Sequence, residues 1–182
     1  YEQIKVDLCC MNLAVTILGV GTGFAYDIMG PTHHATEDIS IMRALPEMTI
    51  FNPSDSIMAA GLVQITYRSK GPKYVRFDRG GLPLLYSNKK INFSNGLVNL
   101  KKGSNLCIIS TGVMVYRALQ IADELSKHSI DIGVVDLYRI KPLNVKLLLE
   151  ILDNYENILT LEEHFVIGGI GSIMAEVLSD NE

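Results

Sequence analysis

Short apolar runs rich in β-forming residues alternate with longer amphipathic segments along most of this 182-residue chain. A strand followed by a helix and another strand at this spacing predicts a parallel βαβ unit with a right-handed crossover. The runs that we predict as strands are residues 14–20, 48–51, 73–78, 106–110, 132–136 and 158–161. We therefore predict an α/β fold whose sheets are mainly parallel and flanked by helices.

Amphipathic segments with helical spacing lie between these runs. Ile4, Leu8 and Met11 recur at the spacing of an opening helix. Further helices are predicted at residues 35–45, 53–69, 113–127, 144–152 and 169–178. Ser54 or Asp55 is the expected N-cap of the helix at 53–69.

The texture of the sequence changes between residues 86 and 104, where Ser, Asn, Lys and Gly replace most large apolar side chains. Such a stretch is typical of a domain boundary. We predict two consecutive α/β modules, at residues 1–88 and 89–182. The chain starts inside a helical pattern and ends at a predicted helix, so we expect the first module to be incomplete at its start and the second at its end.

The composition argues against several classes of protein. The chain is 48% hydrophobic and carries a net charge of −4 without a long Lys/Arg run. We therefore expect no nucleic-acid or membrane partner, and no apolar run is long enough to span a bilayer. Cys9, Cys10 and Cys107 lack CxxC spacing, so we expect free thiols in a reducing cytoplasm and no metal site.

A rigid turn precedes two adjacent histidines, His33 and His34. Pro31 fixes its own φ and disfavours the α region for Gly30, and the helix predicted at 35–45 follows at once. A histidine ahead of a helix start lies near unpaired N–H groups, which favour a neutral imidazole and oxygen-rich ligands. Spacing alone leaves two interpretations open, a polar loop that caps a helix and a ligand site.

Arg76 and Arg79 lie at the end of the strand predicted at 73–78. The carboxyl ends of parallel strands form the edge at which α/β proteins usually bind ligands, and a planar guanidinium suits phosphate. Pairing with Asp78 or another neighbouring acid is an equally open interpretation.

The second module carries Glu162, Glu163 and His164, followed by glycines at 168, 169 and 171. Two carboxylates and an imidazole suit a metal or acid–base site, but the spacing is not that of a metalloprotease helix. No Lys-Ser/Thr pair follows the glycines as in a phosphate-binding loop. We favour a packing role, in which the glycines permit close approach and the three polar side chains form an interface network.

Two sets of motifs together resemble one family. The first set is Gly-Pro-Thr-His-His-Ala-Thr-Glu-Asp-Ile at 30–39, Met-Arg-Ala-Leu-Pro at 42–46 and Asn-Pro-Ser-Asp at 52–55. The second is Ser-Thr-Gly at 110–112, Asp-Leu-Tyr-Arg-Ile-Lys-Pro-Leu at 136–143 and Glu-Glu-His with the following glycines at 162–171. The first set resembles the pyrimidine-binding domain of transketolases. The second resembles the C-terminal domain that transketolases share with deoxyxylulose-phosphate synthases and dehydrogenase E1 β-chains, and the whole chain is most similar to the C-terminal section of split transketolases.

The resemblance implies a thiamin diphosphate enzyme of carbohydrate metabolism, as in the pentose phosphate pathway, that moves a two-carbon ketol unit between sugar phosphates. In that scheme His33 is the catalytic residue that hydrogen-bonds substrate oxygens, and His34 is a second substrate ligand that supports it. Arg79 grips the sugar phosphate. Tyr1 is the last of the aromatic residues around the cofactor pyrimidine.

The resemblance also implies parts that this chain does not carry. The glutamate that activates the cofactor, and the diphosphate-binding domain with its Mg²⁺ or Ca²⁺, would belong upstream or to another subunit. We therefore expect an N-terminal partner section or subunit, a homodimer or heterotetramer, and no catalysis by these 182 residues alone. Met29 replaces a sugar-reading aspartate, Asp27 is out of register to replace it, and Gly21 replaces a substrate histidine, which leaves the sugar specificity open.

Two alternatives stay open beside this hypothesis. A deoxyxylulose-phosphate synthase has a similar histidine loop but takes pyruvate and releases CO₂; Met29 and the Arg-Gly-Gly-Leu-Pro segment at 79–83 favour the split-transketolase branch. The other alternative is a non-catalytic assembly module that dimerises through its sheet faces. The presence of both His33 and Arg79 argues against that interpretation.

Overall fold

The computed structural model describes residues 1–87 and 91–181 and contains two four-stranded sheets flanked by helices. The strands are β1 (Thr16–Val20), β2 (Thr49–Phe51), β3 (Lys73–Phe77), β4 (Leu97–Lys101), β5 (Leu106–Ser110), β6 (Ile132–Leu137), β7 (Arg139–Lys141) and β8 (Asn157–Leu161). The α-helices are α1 (Asp38–Arg43), α2 (Ser56–Arg68), α3 (Met114–Ser126), α4 (Val145–Leu152) and α5 (Ile170–Asp180). The predicted opening helix is a short π-helix, Ile4–Cys9. These elements confirm the predicted α/β class.

The first sheet has the strand order β1-β3-β2-β7. β3 lies between β1 and β2 and runs parallel to both, as the alternating sequence pattern predicts. β7 covers the other edge antiparallel to β2, although it comes from the second half of the chain. The sequence pattern misses β7 because a three-residue strand directly after β6 cannot be distinguished from the end of β6.

The second sheet has the strand order β4-β6-β5-β8. β5 pairs in parallel with β6 and with β8, and β4 pairs with β6 in the antiparallel direction. The sequence pattern does not predict β4. Only its first residue, Leu97, is fully buried, and the polar Asn99 and Lys101 interrupt its apolar content.

Helix α1 is shorter than predicted, because residues 35–37 are held by other bonds. Ala35 forms an isolated antiparallel bridge with Gly23. The backbone N–H and the hydroxyl of Thr36 both donate to Oε2 of Glu37, each at 3.0 Å. Local side-chain bonds of this kind compete with the helical ladder. The helix therefore begins at Asp38.

Of the two expected N-caps of α2, Asp55 performs the role. One of its carboxylate oxygens accepts from the Met58 N–H at 2.7 Å. The other accepts from the N–H groups of Leu85 and Tyr86 at 2.8 and 3.0 Å. Asp55 thereby fixes the segment after β3 to the start of α2.

The largest apolar cluster draws on both halves of the chain. Met48 and Ile50 from the first half pack with Leu137, Ile140 and Leu148 from the second, and all are almost fully buried. Burying each such side chain stabilises the fold by about 1.5–3 kcal/mol, so the two halves support each other. The boundary predicted between residues 88 and 89 falls outside the described residues and stays a prediction. None of the helices in the described part has the length and apolar character that a bilayer span requires.

Candidate active site

An open pocket of about 580 Å³ lies at the carboxyl end of the first sheet. It is lined by Ala25, Tyr26, Asp27, Ile28, Met29, His33 and Arg79. The loop after β1 supplies most of this lining, and Arg79 comes from the segment after β3. Parallel strands that end at one edge thus bring together two residues that the resemblance marks, His33 and Arg79.

The loop between β1 and α1 is closed at its base by a reciprocal pair of backbone hydrogen bonds. The Gly23 N–H donates to the Ala35 carbonyl and the Ala35 N–H donates to the Gly23 carbonyl, both at 3.0 Å. A single turn of 3₁₀-helix, Asp27–Met29, ends at Gly30, whose φ of +79° suits glycine. The loop is therefore an ordered excursion of about a dozen residues that projects His33 from a fixed base.

His33 is exposed on the pocket wall, and one of its ring nitrogens is engaged. Nδ1 lies 3.0 Å from the Thr32 hydroxyl. Within the described residues Nε2 has no protein partner, so it is available to a ligand. The hydroxyl of Thr32 can donate or accept, so either neutral tautomer of His33 can be held in this orientation.

His34 is placed inside the loop rather than on the pocket lining. Its ring packs edge-on against Phe24 with 4.9 Å between the ring centroids. Its Nε2 lies 3.2 Å from the carbonyl oxygen of Asp27, to which it donates in the matching tautomer. The position suits support of the loop, and a direct substrate contact by His34 stays a prediction.

Arg76 and Arg79 have separate environments. Arg76 is 3% exposed, and its Nε donates to Oδ2 of Asp38 at 2.8 Å. Its Nη2 donates to the carbonyl oxygens of Ala35 and Glu163 at 3.1 and 3.2 Å. Arg76 therefore takes the pairing role, with Asp38 rather than Asp78, and ties the base of the histidine loop to α1 and to the second half of the chain.

Asp78 joins the base of the same loop to α3. The Thr22 hydroxyl donates to one of its carboxylate oxygens, and the Val113 N–H donates to the other at 2.6 Å. Burial raises the pKa of the Asp78 carboxyl, while the hydrogen bond from Thr22 acts in the opposite direction. The sequence marks Asp78 only as a partner for an arginine, because its capping partner lies 35 residues away.

The acids and histidine at 162–164 are engaged in packing contacts, in line with the interface-network interpretation. Glu162 accepts from the N–H groups of Ile170 and Gly171 at 2.8 and 2.9 Å and so caps α5. Glu163 accepts from the Phe24 N–H at 3.1 Å. His164 Nε2 faces the Ser40 N–H at 3.4 Å, while its Nδ1 lies 2.8 Å from the Phe165 carbonyl.

Tyr1 and the two loop residues that bear on sugar choice lie as follows. Tyr1 is 54% exposed at the start of the opening helix and does not line this pocket. Met29 and Asp27 both line it, so the register of the loop does not keep Asp27 away from a ligand there. Tyr26, which no sequence motif marks, lies under Arg79, with the Arg79 guanidinium carbon 4.6 Å from the centroid of its ring.

Comparison with protein families gives two matches in succession. The model described as "Transketolase, pyrimidine binding domain" matches residues 1–83, and the one described as "Transketolase, C-terminal domain" matches residues 96–182. Together they place domain types on the same parts of the chain to which the two motif sets belong.

Similar proteins agree with these domain matches. One of the two subunit types of an apulose-4-phosphate transketolase, from Phocaeicola vulgatus, is 39% identical over 181 residues, which are 99% of this chain and 58% of that protein. 1-Deoxy-D-xylulose-5-phosphate synthase 2 of Geobacter sulfurreducens is 35% identical over 99% of this chain and 29% of its own. This chain therefore spans little more than half the length of the first relative.

A solved structure supports the same assignment. A split-gene transketolase, described as an inactive β4 tetramer, superposes with a TM-score of 0.88 at 37% identity over 98% of this chain and 58% of its own. The two domain matches occur in the order and positions that the sheets and the pocket occupy. The chain is thus a member of the transketolase family, with its pyrimidine-binding domain followed by its C-terminal domain.

Proposed function

We propose that this chain supplies the substrate-binding half of the active site in a thiamin-diphosphate-dependent transketolase that transfers a two-carbon ketol unit between sugar phosphates. The observation that carries the proposal is that His33 and Arg79, separate in sequence, line one pocket. An imidazole and a guanidinium in one pocket suit a ligand that has hydroxyl or carbonyl oxygens at one end and a phosphate at the other.

In this proposal His33 acts through Nε2. Since Thr32 holds the other ring nitrogen at 3.0 Å, the imidazole presents one fixed hydrogen-bonding atom to the substrate oxygens near the reacting carbons. Arg79 binds the phosphate through its N–H groups. His34 supports the loop, and Asp27 and Met29, on the same pocket wall, contribute to the choice of sugar.

Thiamin diphosphate, when bound, supplies the electron sink for cleavage of the carbon–carbon bond. Across residues 1–87 and 91–181, no group of three or more His, Cys, Asp and Glu side chains could hold a metal ion. We therefore assign the diphosphate and its Mg²⁺ or Ca²⁺ to a partner subunit. This chain contributes to the pyrimidine end, with Tyr1, which is 54% exposed, as the proposed aromatic contact.

A partner that carries the diphosphate-binding domain is part of the proposal. The relative from Phocaeicola vulgatus is named as one subunit of a transketolase, and a β4 tetramer of a split-gene transketolase is described as inactive. Both names support an enzyme in which two kinds of subunit are needed. We propose a heterotetramer, with a homodimer of longer chains as the alternative, and the three free thiols support a cytoplasmic location.

The second candidate is a 1-deoxy-D-xylulose-5-phosphate synthase. It is favoured by the 35% identity to the Geobacter sulfurreducens enzyme, whose reaction would use the same kind of phosphate grip. The two candidates differ in the donor, which is a keto sugar phosphate for the transketolase and pyruvate for the synthase.

The test is a product assay on the complete subunit assembled with its partner and thiamin diphosphate. The assembly is supplied with glyceraldehyde 3-phosphate and either pyruvate or a keto sugar phosphate, and products are identified by mass spectrometry. We expect a ketose two carbons longer than the acceptor from the keto sugar and no CO₂ from pyruvate. CO₂ release with formation of a deoxyketose phosphate would replace the transketolase proposal by the synthase.

A further inference from the structure

Tyr26 lies between the two side chains to which we assign the substrate. Its ring centroid is 4.6 Å from the guanidinium carbon of Arg79 and 6.2 Å from the ring centroid of His33. All three residues line the same pocket. The tyrosine ring thus forms the floor between the phosphate-binding cation and the imidazole.

Gly21 makes room for this ring. A Cβ atom at residue 21 would lie 2.2 Å from Cε2 of Tyr26, much closer than any real contact. Its φ of +91° is, in addition, a conformation that side-chain-bearing residues rarely adopt. The resemblance places a substrate histidine at this position in full-length transketolases. In this chain the glycine instead lets Tyr26 pack on the backbone at the end of β1.

Stacking on Tyr26 leaves Arg79 able to bind phosphate. Within residues 1–87 and 91–181, Arg79 makes no hydrogen bond or ion pair with another side chain or carbonyl, and the ring of Tyr26 is its described contact. A guanidinium that lies with its flat face on an aromatic ring keeps its N–H donors free at the edge. The ring therefore limits the freedom of a long side chain without occupying the donors that a phosphate needs.

We propose that Tyr26 is a positioning residue that holds Arg79 over the pocket for the substrate phosphate, and that Gly21 is required for it to do so. The inference rests on the proposed ketol transfer between sugar phosphates. It assigns to Tyr26 a part of the specificity for phosphorylated over unphosphorylated acceptors, acting through Arg79 rather than through a bond of its own to the sugar.

The experiment compares glyceraldehyde 3-phosphate with glyceraldehyde as acceptors for the complete subunit assembled with its partner and thiamin diphosphate. Tyr26→Leu removes the ring, Tyr26→Phe keeps it, and Arg79→Ala removes the cation. We expect Tyr26→Leu to raise KM for the phosphorylated acceptor about two- to fivefold, the size of an exposed cation–π contact. KM for glyceraldehyde should change by less than about twofold, and Tyr26→Phe should restore the wild-type value.

A double-mutant cycle isolates the coupling. In the Arg79→Ala background, Tyr26→Leu should have no further effect on KM for the phosphorylated acceptor. An equal effect of Tyr26→Leu in both backgrounds, or an equal change for both acceptors, would overturn the inference. Absence of ketol transfer by the wild-type assembly would instead overturn the proposed function. Melting temperatures of all variants, measured in parallel, identify any loss that comes from unfolding.

Discussion

His33 is oriented by a single side chain, since the Thr32 hydroxyl holds its Nδ1 and leaves Nε2 to the pocket. That arrangement is characteristic of a histidine that hydrogen-bonds a ligand rather than one that stabilises the fold. His34, one residue later, makes the opposite choice and bonds to the backbone of its own loop. Two adjacent histidines thus divide the work of the loop, and the difference depends on contacts that their spacing in the sequence does not reveal.

Substitution of His33 separates an enzyme from a non-catalytic assembly module. We expect His33→Ala to lower kcat/KM of the assembled enzyme by about 10²–10³-fold, the usual size of a lost acid–base or hydrogen-bonding group. His128→Ala, at an exposed histidine after α3, is the matched control and should leave turnover within about twofold of wild type. Unchanged turnover in His33→Ala would favour the assembly module.

Among the elements, β1, β2 and β3 with the helices between them follow directly from the alternating sequence pattern. What the pattern misses is set by long-range contacts. β7 is defined by its pairing with β2, the start of α1 by the bridge between Gly23 and Ala35, and the loop base by Arg76. The family motifs predicted the candidate site residues His33 and Arg79, whereas Tyr26 shows no local signal because its partner comes from another strand end.

The buried Arg76 is expected to be the strongest single support of the loop. Arg76→Ala would leave the largely buried carboxylate of Asp38 without its cation and would break the bonds to Ala35 and Glu163. We expect the free energy of unfolding to fall by about 3–5 kcal/mol, since an unpaired buried charge is costly. Arg68→Ala, at an exposed position of α2, should change it by less than about 0.5 kcal/mol. Urea titration measures both, and similar values for the two variants would contradict the assignment.

Asp136, at the end of β6, links the pH and the stability of the fold. It is fully buried, accepts hydrogen bonds from the hydroxyls of Ser54 and Tyr86, and has Asp55 nearby. Burial raises its pKa from 3.8 to about 7. The folded chain therefore retains this proton to higher pH than the unfolded chain. The stability from protonated Asp136 is complete below about pH 4 and is lost as pH rises to about 7.

The variant Asp136→Asn should remove this pH dependence. Between about pH 5 and pH 8, the wild-type chain should lose stability relative to Asp136→Asn by several kcal/mol, on the order expected for a shift of this size. Asp131→Asn, at an exposed position before β6, is the control and should follow the wild-type curve. Urea midpoints measured across this range test the prediction, and parallel curves for wild type and Asp136→Asn would contradict it.

At the scale of the whole molecule, the two domains share an apolar cluster and a sheet, so the histidine loop and the C-terminal domain form one support for the pocket. Arg76 connects them through the Glu163 carbonyl at 3.2 Å, and Glu163 itself accepts from the loop residue Phe24. The described residues bring together groups that suit a sugar phosphate but no group of side chains that could hold a metal. We therefore propose that this chain carries half of an active site.

Activity on assembly tests this division most directly. Turnover of a keto sugar phosphate with an aldose phosphate is measured, in the presence of thiamin diphosphate and Mg²⁺, for the complete subunit, for its diphosphate-binding partner and for an equimolar mixture of the two. We predict ketol transfer by the mixture and none by either component. Ketol transfer by the subunit alone at the rate of the mixture would contradict the proposed division of the active site.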